Sequence, residues 1–194
     1  NIMALLIIEP YARYAAVADV GTDNDDLTTA WSVDGGISLN TTAGRFSGRV
    51  LEVNQSAREQ RIRLGTVSGT TLIIGAAVRF DSSGSTTPAA SSILRCTTSS
   101  SATIHWQISV GMGGNLYIFS SGGSTLVGTV QGAFQHDAWH YLEVKVNQAD
   151  SGSMTIKIDG VQVFTISATD FQNASATFES VWFGGNHDNF YWED

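Results

Sequence analysis

The chain is 194 residues long, carries a formal net charge of −8 at pH 7, and has only 14% charged residues, against about 25% in an average protein. That acidic balance argues against a partner held through nucleic-acid phosphates, which needs a basic face. No apolar run approaches ~18 residues, so no membrane insertion is expected, and a lone cysteine, Cys96, excludes an intramolecular disulfide.

Ser, Thr and Gly take the place of charge, as a chain of many short strands and turns requires. Met3–Glu9 reads as a short apolar strand stopped by Pro10, which has no N–H for a ladder. No basic segment precedes it, so no signal peptide is read. Asp19–Asp26 is an acidic loop. Trp31–Leu39 reads as a strand broken at Gly35-Gly36, Arg49–Val53 as a strand, and Arg58–Leu64 as an exposed strand with its arginines outward. Thr70–Phe80 is the most apolar run; its β-branched content and length predict a central strand covered on both faces. Asp81–Ser92 is a long Ser/Gly/Pro loop. Ile93–Thr97, Thr103–Val110, Asn115–Ser120 and Thr125–Val130 follow as strands, with Gly111–Gly114 and Ser121–Ser124 as turns.

The stretch Trp139–Phe164 is the most regular. Leu142, Val144 and Val146 alternate with Glu143, Lys145 and Asn147; Met154, Ile156 and Ile158 alternate with Thr155, Lys157 and Asp159. A period of two puts one set on one sheet face. Asp159-Gly160 tolerates the positive φ angles of a two-residue hairpin turn. Thr169-Asp170-Phe171 is expected to start a helical turn, and Ala176–Phe183 and Asn189–Glu193 close the sheet. Strands about every ten residues, with neither repeat nor linker, predict one domain over 1–194, an all-β antiparallel sandwich.

Each candidate for chemistry has a plainer reading beside it. His136-Asp-Ala-Trp-His140 superficially matches the spacing of a zinc-protease helix, but it leads directly into a period-two strand; a turn histidine and a strand-start histidine are the simpler reading. Asp19, Asp23, Asp25 and Asp26, with Asn24, offer hard oxygens of the kind calcium takes, although their spacing is not that of an EF-hand loop. A solvated acidic turn is the simpler reading, so no cofactor is expected, with a structural Ca2+ as the alternative. Trp182, Tyr191 and Trp192 lie close together in sequence and offer flat rings on which a pyranose could stack; Trp106 and Tyr117 lie mid-chain. Trp31 and Trp139 are assigned to the core. No carboxylates recur at i, i+2 and i+4, the spacing of a glucanase pair flanking a glycosidic bond. Neither a nucleophile constellation nor a phosphate loop is visible.

A Trp-His-Tyr-Leu-Glu strand, a Gly-containing loop and an Ile-Asp-Gly turn, together with Met3–Glu9, Gly44–Gly48 and Leu72–Phe80, resemble the laminin-G-like branch of the concanavalin A-like jelly rolls, in the versions found in structural proteins of tailed bacteriophages. The resemblance implies a two-sheet antiparallel jelly roll whose first and last strands, Met3–Glu9 and Asn189–Glu193, lie side by side. It implies a non-enzymatic virion protein, assembled in the host cytoplasm, that decorates capsid or tail. Its partners would be other virion proteins and further copies of itself in a homo-oligomer. The alternative is a carbohydrate-binding domain that attaches a particle or an enzyme to a host-surface glycan.

Overall fold

Period-two alternation sets which residues enter sheets, and turn residues set where the sheets fold back. The computed structural model describes residues 31–33, 37–40, 50–53, 60–67, 71–80, 92–98, 103–173, 178–183 and 190–193. Among them the strands are β1 (Trp31–Val33), β2 (Ile37–Asn40), β3 (Val50–Val53), β4 (Gln60–Val67), β5 (Thr71–Phe80), β6 (Ser92–Thr97) and β7 (Ile104–Gly111). They continue with β8 (Asn115–Ser120), β9 (Thr125–Val130), β10 (Trp139–Asn147), β11 (Gly152–Ile158), β12 (Val161–Thr169), β13 (Phe178–Phe183) and β14 (Phe190–Glu193). Among the described residues the only helical segment is one 3-10 turn, Met112–Gly114.

Two antiparallel sheets form. The front sheet runs β1-β4-β13-β6-β7-β8-β9 and the back sheet β12-β11-β10-β5-β14-β3-β2. The fold is the all-β jelly-roll sandwich expected from the strand pattern. The interruption at Gly35-Gly36 does more than break a strand, because β1 lies in the front sheet and β2 in the back sheet.

The core fills the space between the sheets. Leu142, Val144 and Val146 of β10 and Met154, Ile156 and Ile158 of β11 point inward from the back sheet; Leu94, Cys96, Trp106, Ile108, Val110, Leu116, Ile118 and Val181 meet them from the front. The hairpin predicted at Asp159-Gly160 is present, with φ of 53° and 80° at those two residues. Asp159 also fastens the turn to its neighbour: its Oδ1 accepts from the Tyr141 backbone N–H at 2.8 Å, and its backbone N–H donates to the Tyr141 carbonyl at 2.9 Å. Asp159→Ala should cost about 1 kcal/mol through loss of the Oδ1 bond, the backbone bond being kept, measured as a shift of the urea unfolding midpoint.

One side of the sandwich closes through a glycine. A Cβ at Gly128 of β9 would collide with the ring of Phe164 on β12, so the front-sheet edge admits that ring only because position 128 has no side chain. Gly128→Val should therefore destabilise the protein by about 1–3 kcal/mol by overpacking; thermal unfolding of the variant checks this.

Four expectations change. Both sides of β14 are taken, by β3 and by β5, so the predicted pairing of Asn189–Glu193 with Met3–Glu9 does not form; a strand has only two hydrogen-bonding edges. Met3–Glu9 itself lies outside the described residues. Trp139 is not in the core: it stands opposite Arg79, with the same parity as Tyr141, Glu143 and Lys145, and so faces away from the core. The helical turn expected from Thr169 is absent: β12 runs to Thr169, and Asp170 makes a side-chain turn by accepting from the Gln172 N–H at 2.9 Å. β5 is central, lying between β10 and β14, but only Ala76, Ala77 and Val78 are successively buried on both faces; Ile73 is exposed.

Candidate functional site on the outward face of the front sheet

β7 carries two patterns at once. Trp106, Ile108 and Val110 enter the core, while Gln107 and Ser109 alternate with them on the other face. Register extends that face across the sheet. Trp182 of β13 lies opposite Arg95 of β6, Arg95 opposite Gln107, and Gln107 opposite Phe119 of β8. In a parallel row, Ser92 lies opposite Ser109 and Ser109 opposite Tyr117. The row from Trp182 to Phe119 crosses three strand spacings, about 14 Å. On β4, the register places Arg61 in line with Trp182 and Arg63 in line with Ser180.

This face is polar yet sunk. Solvated polar side chains are the rule on the outer face of an antiparallel sheet. Here Ser109 is 0% exposed, Gln107 5%, Phe119 5% and Trp182 8%, with Arg95 and Tyr117 half-buried. Burying polar groups costs free energy unless they are hydrogen-bonded, and several of these groups are accordingly tied to one another, although the Ser92 hydroxyl is buried without a partner among the described residues. The Gln107 Nε2 amide donates to Ser109 Oγ at 2.9 Å. Trp182 Nε1–H donates to Thr97 Oγ1 at 2.8 Å, and the Thr97 hydroxyl donates to the Thr98 carbonyl at 2.9 Å. The Arg95 guanidinium lies 4.7 Å from the Trp182 ring centroid, a distance at which the ring face attracts and orients the cation. A half-buried arginine on an aromatic ring, beside a primary amide and a phenol, is a ready site for a carboxylate and for hydroxyls.

His105 sits where the register between β6 and β7 slips and is fully buried. Its Nδ1 accepts from the Asn173 backbone N–H at 3.2 Å, and Asn173 Nδ2 donates to the Ile104 carbonyl at 3.0 Å. An accepting Nδ1 places the proton of the neutral ring on Nε2.

The residues singled out from sequence separate. Trp182 belongs to this face, whereas Tyr191 and Trp192 are on β14 in the back sheet, so the three do not share one platform. Trp106 is a core residue, 0% exposed; Tyr117 joins Trp182 on the front face. Asp19, Asp23, Asp25 and Asp26 lie outside the described residues, and among the described residues no group of three metal-binding side chains comes together. His136 and His140 form no zinc pair. His140 Nδ1–H donates to Asp159 Oδ2 at 2.7 Å and its Nε2 accepts from the Gln135 N–H at 3.0 Å, so both ring nitrogens are engaged. Sequence reasoning did not pick out Arg95, Gln107 or Ser109. The available signal was polar residues alternating with a large apolar set inside β7, and an arginine between Leu94 and Cys96 in β6.

No family model and no curated protein matches the chain. Solved structures do. An endo-β-1,4-glucuronan lyase from the fungus Trichoderma reesei superimposes with a TM-score of 0.63 at 14% identity, over 81% of this chain and 84% of that one. The alginate lyase Aly36B gives 0.60 at 11% identity, over 95% and 92%. A structure of botulinum neurotoxin type C, described as entering cells through two ganglioside molecules, gives 0.56 at 14% identity, over 84% of this chain and 41% of that one. The bacteriophage reading gains no support from these structures. They also overturn the expectation that the chain is no enzyme. That expectation rested on the bacteriophage resemblance and on the lack of a carboxylate pair, a nucleophile constellation and a phosphate loop, and two of the three named structures with this architecture are polysaccharide lyases. What the likeness shows is the fold: a concanavalin A-like jelly roll, shared with proteins that cleave or bind carbohydrate.

Proposed function

We propose that the chain acts on an acidic polysaccharide, cleaving it by β-elimination on the outward face of the front sheet. The observation that carries this reading is the sunken row of Trp182, Arg95 and Gln107, with Tyr117 in the parallel row beside it. A uronate ring placed on that row would direct its carboxylate to the Arg95 guanidinium and the Gln107 amide. Donors fixed at that position stabilise the negative charge that builds on the carboxylate when the neighbouring C5 proton leaves. The electron pair of that C–H bond forms the C4=C5 double bond, and the bond from C4 to the glycosidic oxygen breaks. Tyr117, the half-buried phenol of the neighbouring row, is the group placed to take the C5 proton, as its phenolate, and to hand that same proton to the departing oxygen. Neither water nor a carboxylate pair is consumed in this chemistry, so the missing glucanase spacing is no obstacle. The named lyases act on uronate polymers by their own descriptions, which is why the substrate class is drawn there.

A non-cleaving glycan-binding domain is the second reading, favoured by the ganglioside-dependent toxin among the structures of this fold. Incubation with glucuronan, alginate and a neutral β-glucan separates the two. The lyase reading expects ultraviolet-absorbing unsaturated ends from a polyuronate and none from the neutral polymer. Polyuronate binding with no unsaturated product would leave the binding reading alone.

A further inference from the structure

We infer that cleavage on the front face is confined to linkages in which the C5 hydrogen and the C4 oxygen lie on the same side of the sugar ring, as in D-mannuronate and D-glucuronate, and that L-guluronate, inverted at C5, is left intact. This rests on the lyase reading above and deepens it, from a substrate class to a ring configuration.

One carrier must serve both proton transfers. β1, β4, β6, β7, β8 and β9 contain no aspartate, glutamate or lysine. Among the described front-sheet strands the one carboxylate is Glu179 of β13, three strand spacings, about 14 Å, from β8. Arg61, Arg63 and Arg95 are cations that do not release a proton in a protein. His105 is fully buried and its Nδ1 accepts from the Asn173 N–H at 3.2 Å, so it does not reach a sugar on the surface. Asp170, just past β12, accepts from the Ser121 hydroxyl at 3.2 Å through one oxygen and from the Gln172 N–H at 2.9 Å through the other. Tyr117 is left as the proton carrier of this face among the described residues.

The register fixes the side from which it acts. Phe119 lies opposite Gln107, and Tyr117 is two residues from Phe119 on β8; such diagonal neighbours are about 7–8 Å apart, within reach of an aromatic side chain. Arg95, Gln107 and Tyr117 all rise from one sheet face, so they meet the polymer from one side. A phenolate that takes the C5 proton there stays on that side of the ring. The glycosidic oxygen receives the same proton only if it departs from that side too. The C5–H electron pair becomes the C4=C5 bond, the C4–O bond breaks, the proton ends on the departing oxygen and the phenolate is restored. In D-mannuronate and D-glucuronate the C5 hydrogen and the C4 oxygen are cis. In L-guluronate they are trans, and the departing oxygen faces away from the phenol. Tyr117 is thereby a determinant of specificity as well as of rate.

Digestion of an alginate in which mannuronate and guluronate strictly alternate, read by NMR of the products, tests this. Both sugars then arrive on one chain with the same carboxylate, so selectivity reports ring configuration and not binding of the polymer. Elimination within mannuronate leaves guluronate at each new reducing end, and elimination within guluronate leaves mannuronate. New guluronate ends are expected to outnumber mannuronate ends by about a hundredfold or more, since a positioned proton carrier contributes about 10²–10⁴-fold. Among homopolymers, lysis of polymannuronate or glucuronan with polyguluronate intact is the expected result. The inference is overturned, with the lyase reading left standing, if mannuronate ends appear in comparable number, if polyguluronate is cleaved as fast as the D-configured polymers, or if lysis survives Tyr117→Phe. No unsaturated product from any polyuronate would sink both.

Discussion

Trp106→Ala should cost about 3–5 kcal/mol of stability, the largest effect expected of any single core truncation here. Trp106 is fully buried and stands at the head of the largest enclosed side chains, with Phe80 and Phe171. It lies on β7 opposite Cys96, which lies opposite Val181, so one inward row of the front sheet depends on it. In a chain of this length such a loss lowers the melting temperature by roughly 10 °C. A companion variant makes the argument sharper. Trp106 Nε1 is buried and meets no acceptor, and an unsatisfied buried donor itself costs about 1–3 kcal/mol. Trp106→Phe removes that donor along with part of the ring, so the two contributions oppose each other. It should lose less than half of what the alanine variant loses. Equal losses in the two variants would mean that the indole N–H has a partner in solution.

Arg95→Ala should reduce kcat/KM on a polyuronate by about 10²–10³-fold, the range found when a preorganised donor to a developing negative charge is removed. The guanidinium is half-buried and held over the Trp182 ring, so it enters the reaction already oriented. Lysine should restore little, because a point charge neither stacks on the ring nor presents two parallel donors. Trp182→Ala should act through Arg95: a smaller loss of rate, removed when Arg95 is already alanine. That non-additivity is the mark of one group positioning another. Stability should move little in Arg95→Ala, since the side chain lies outside the core.

How much of this was legible in the sequence depended on which face a residue occupies. Leu142, Val144, Val146, Met154, Ile156 and Ile158 are all buried, because a period of two against charged partners names both the strand and its inner face. Asp159-Gly160 named its turn for the same local reason. Trp139 was misplaced although the signal was there: an odd number two before Tyr141 shares the face of Glu143 and Lys145, not that of Leu142. Its aromatic character outweighed its parity. The front face was harder. Gln107 and Ser109 look like ordinary solvent-facing strand positions, and only the register across β13, β6, β7 and β8 shows that they line up with Trp182, Arg95 and Tyr117. These residues come from four strands spread over about 90 positions, a separation no local pattern encodes. Trp182, Tyr191 and Trp192 show the converse. They are neighbours in sequence, yet β13 and β14 belong to different sheets, so nearness along the chain gave no information about a shared surface.

The central claim is that a uronate chain lies across the front sheet with a carboxylate at Arg95. Crystals of Tyr117→Phe, in which the proposed proton carrier is removed, soaked with a uronate tetrasaccharide test it most directly. Sugar density running across β13, β6, β7 and β8, with a carboxylate on the Arg95 guanidinium and the Gln107 amide, is the predicted result. Sugar bound elsewhere, with that row left untouched, would contradict it.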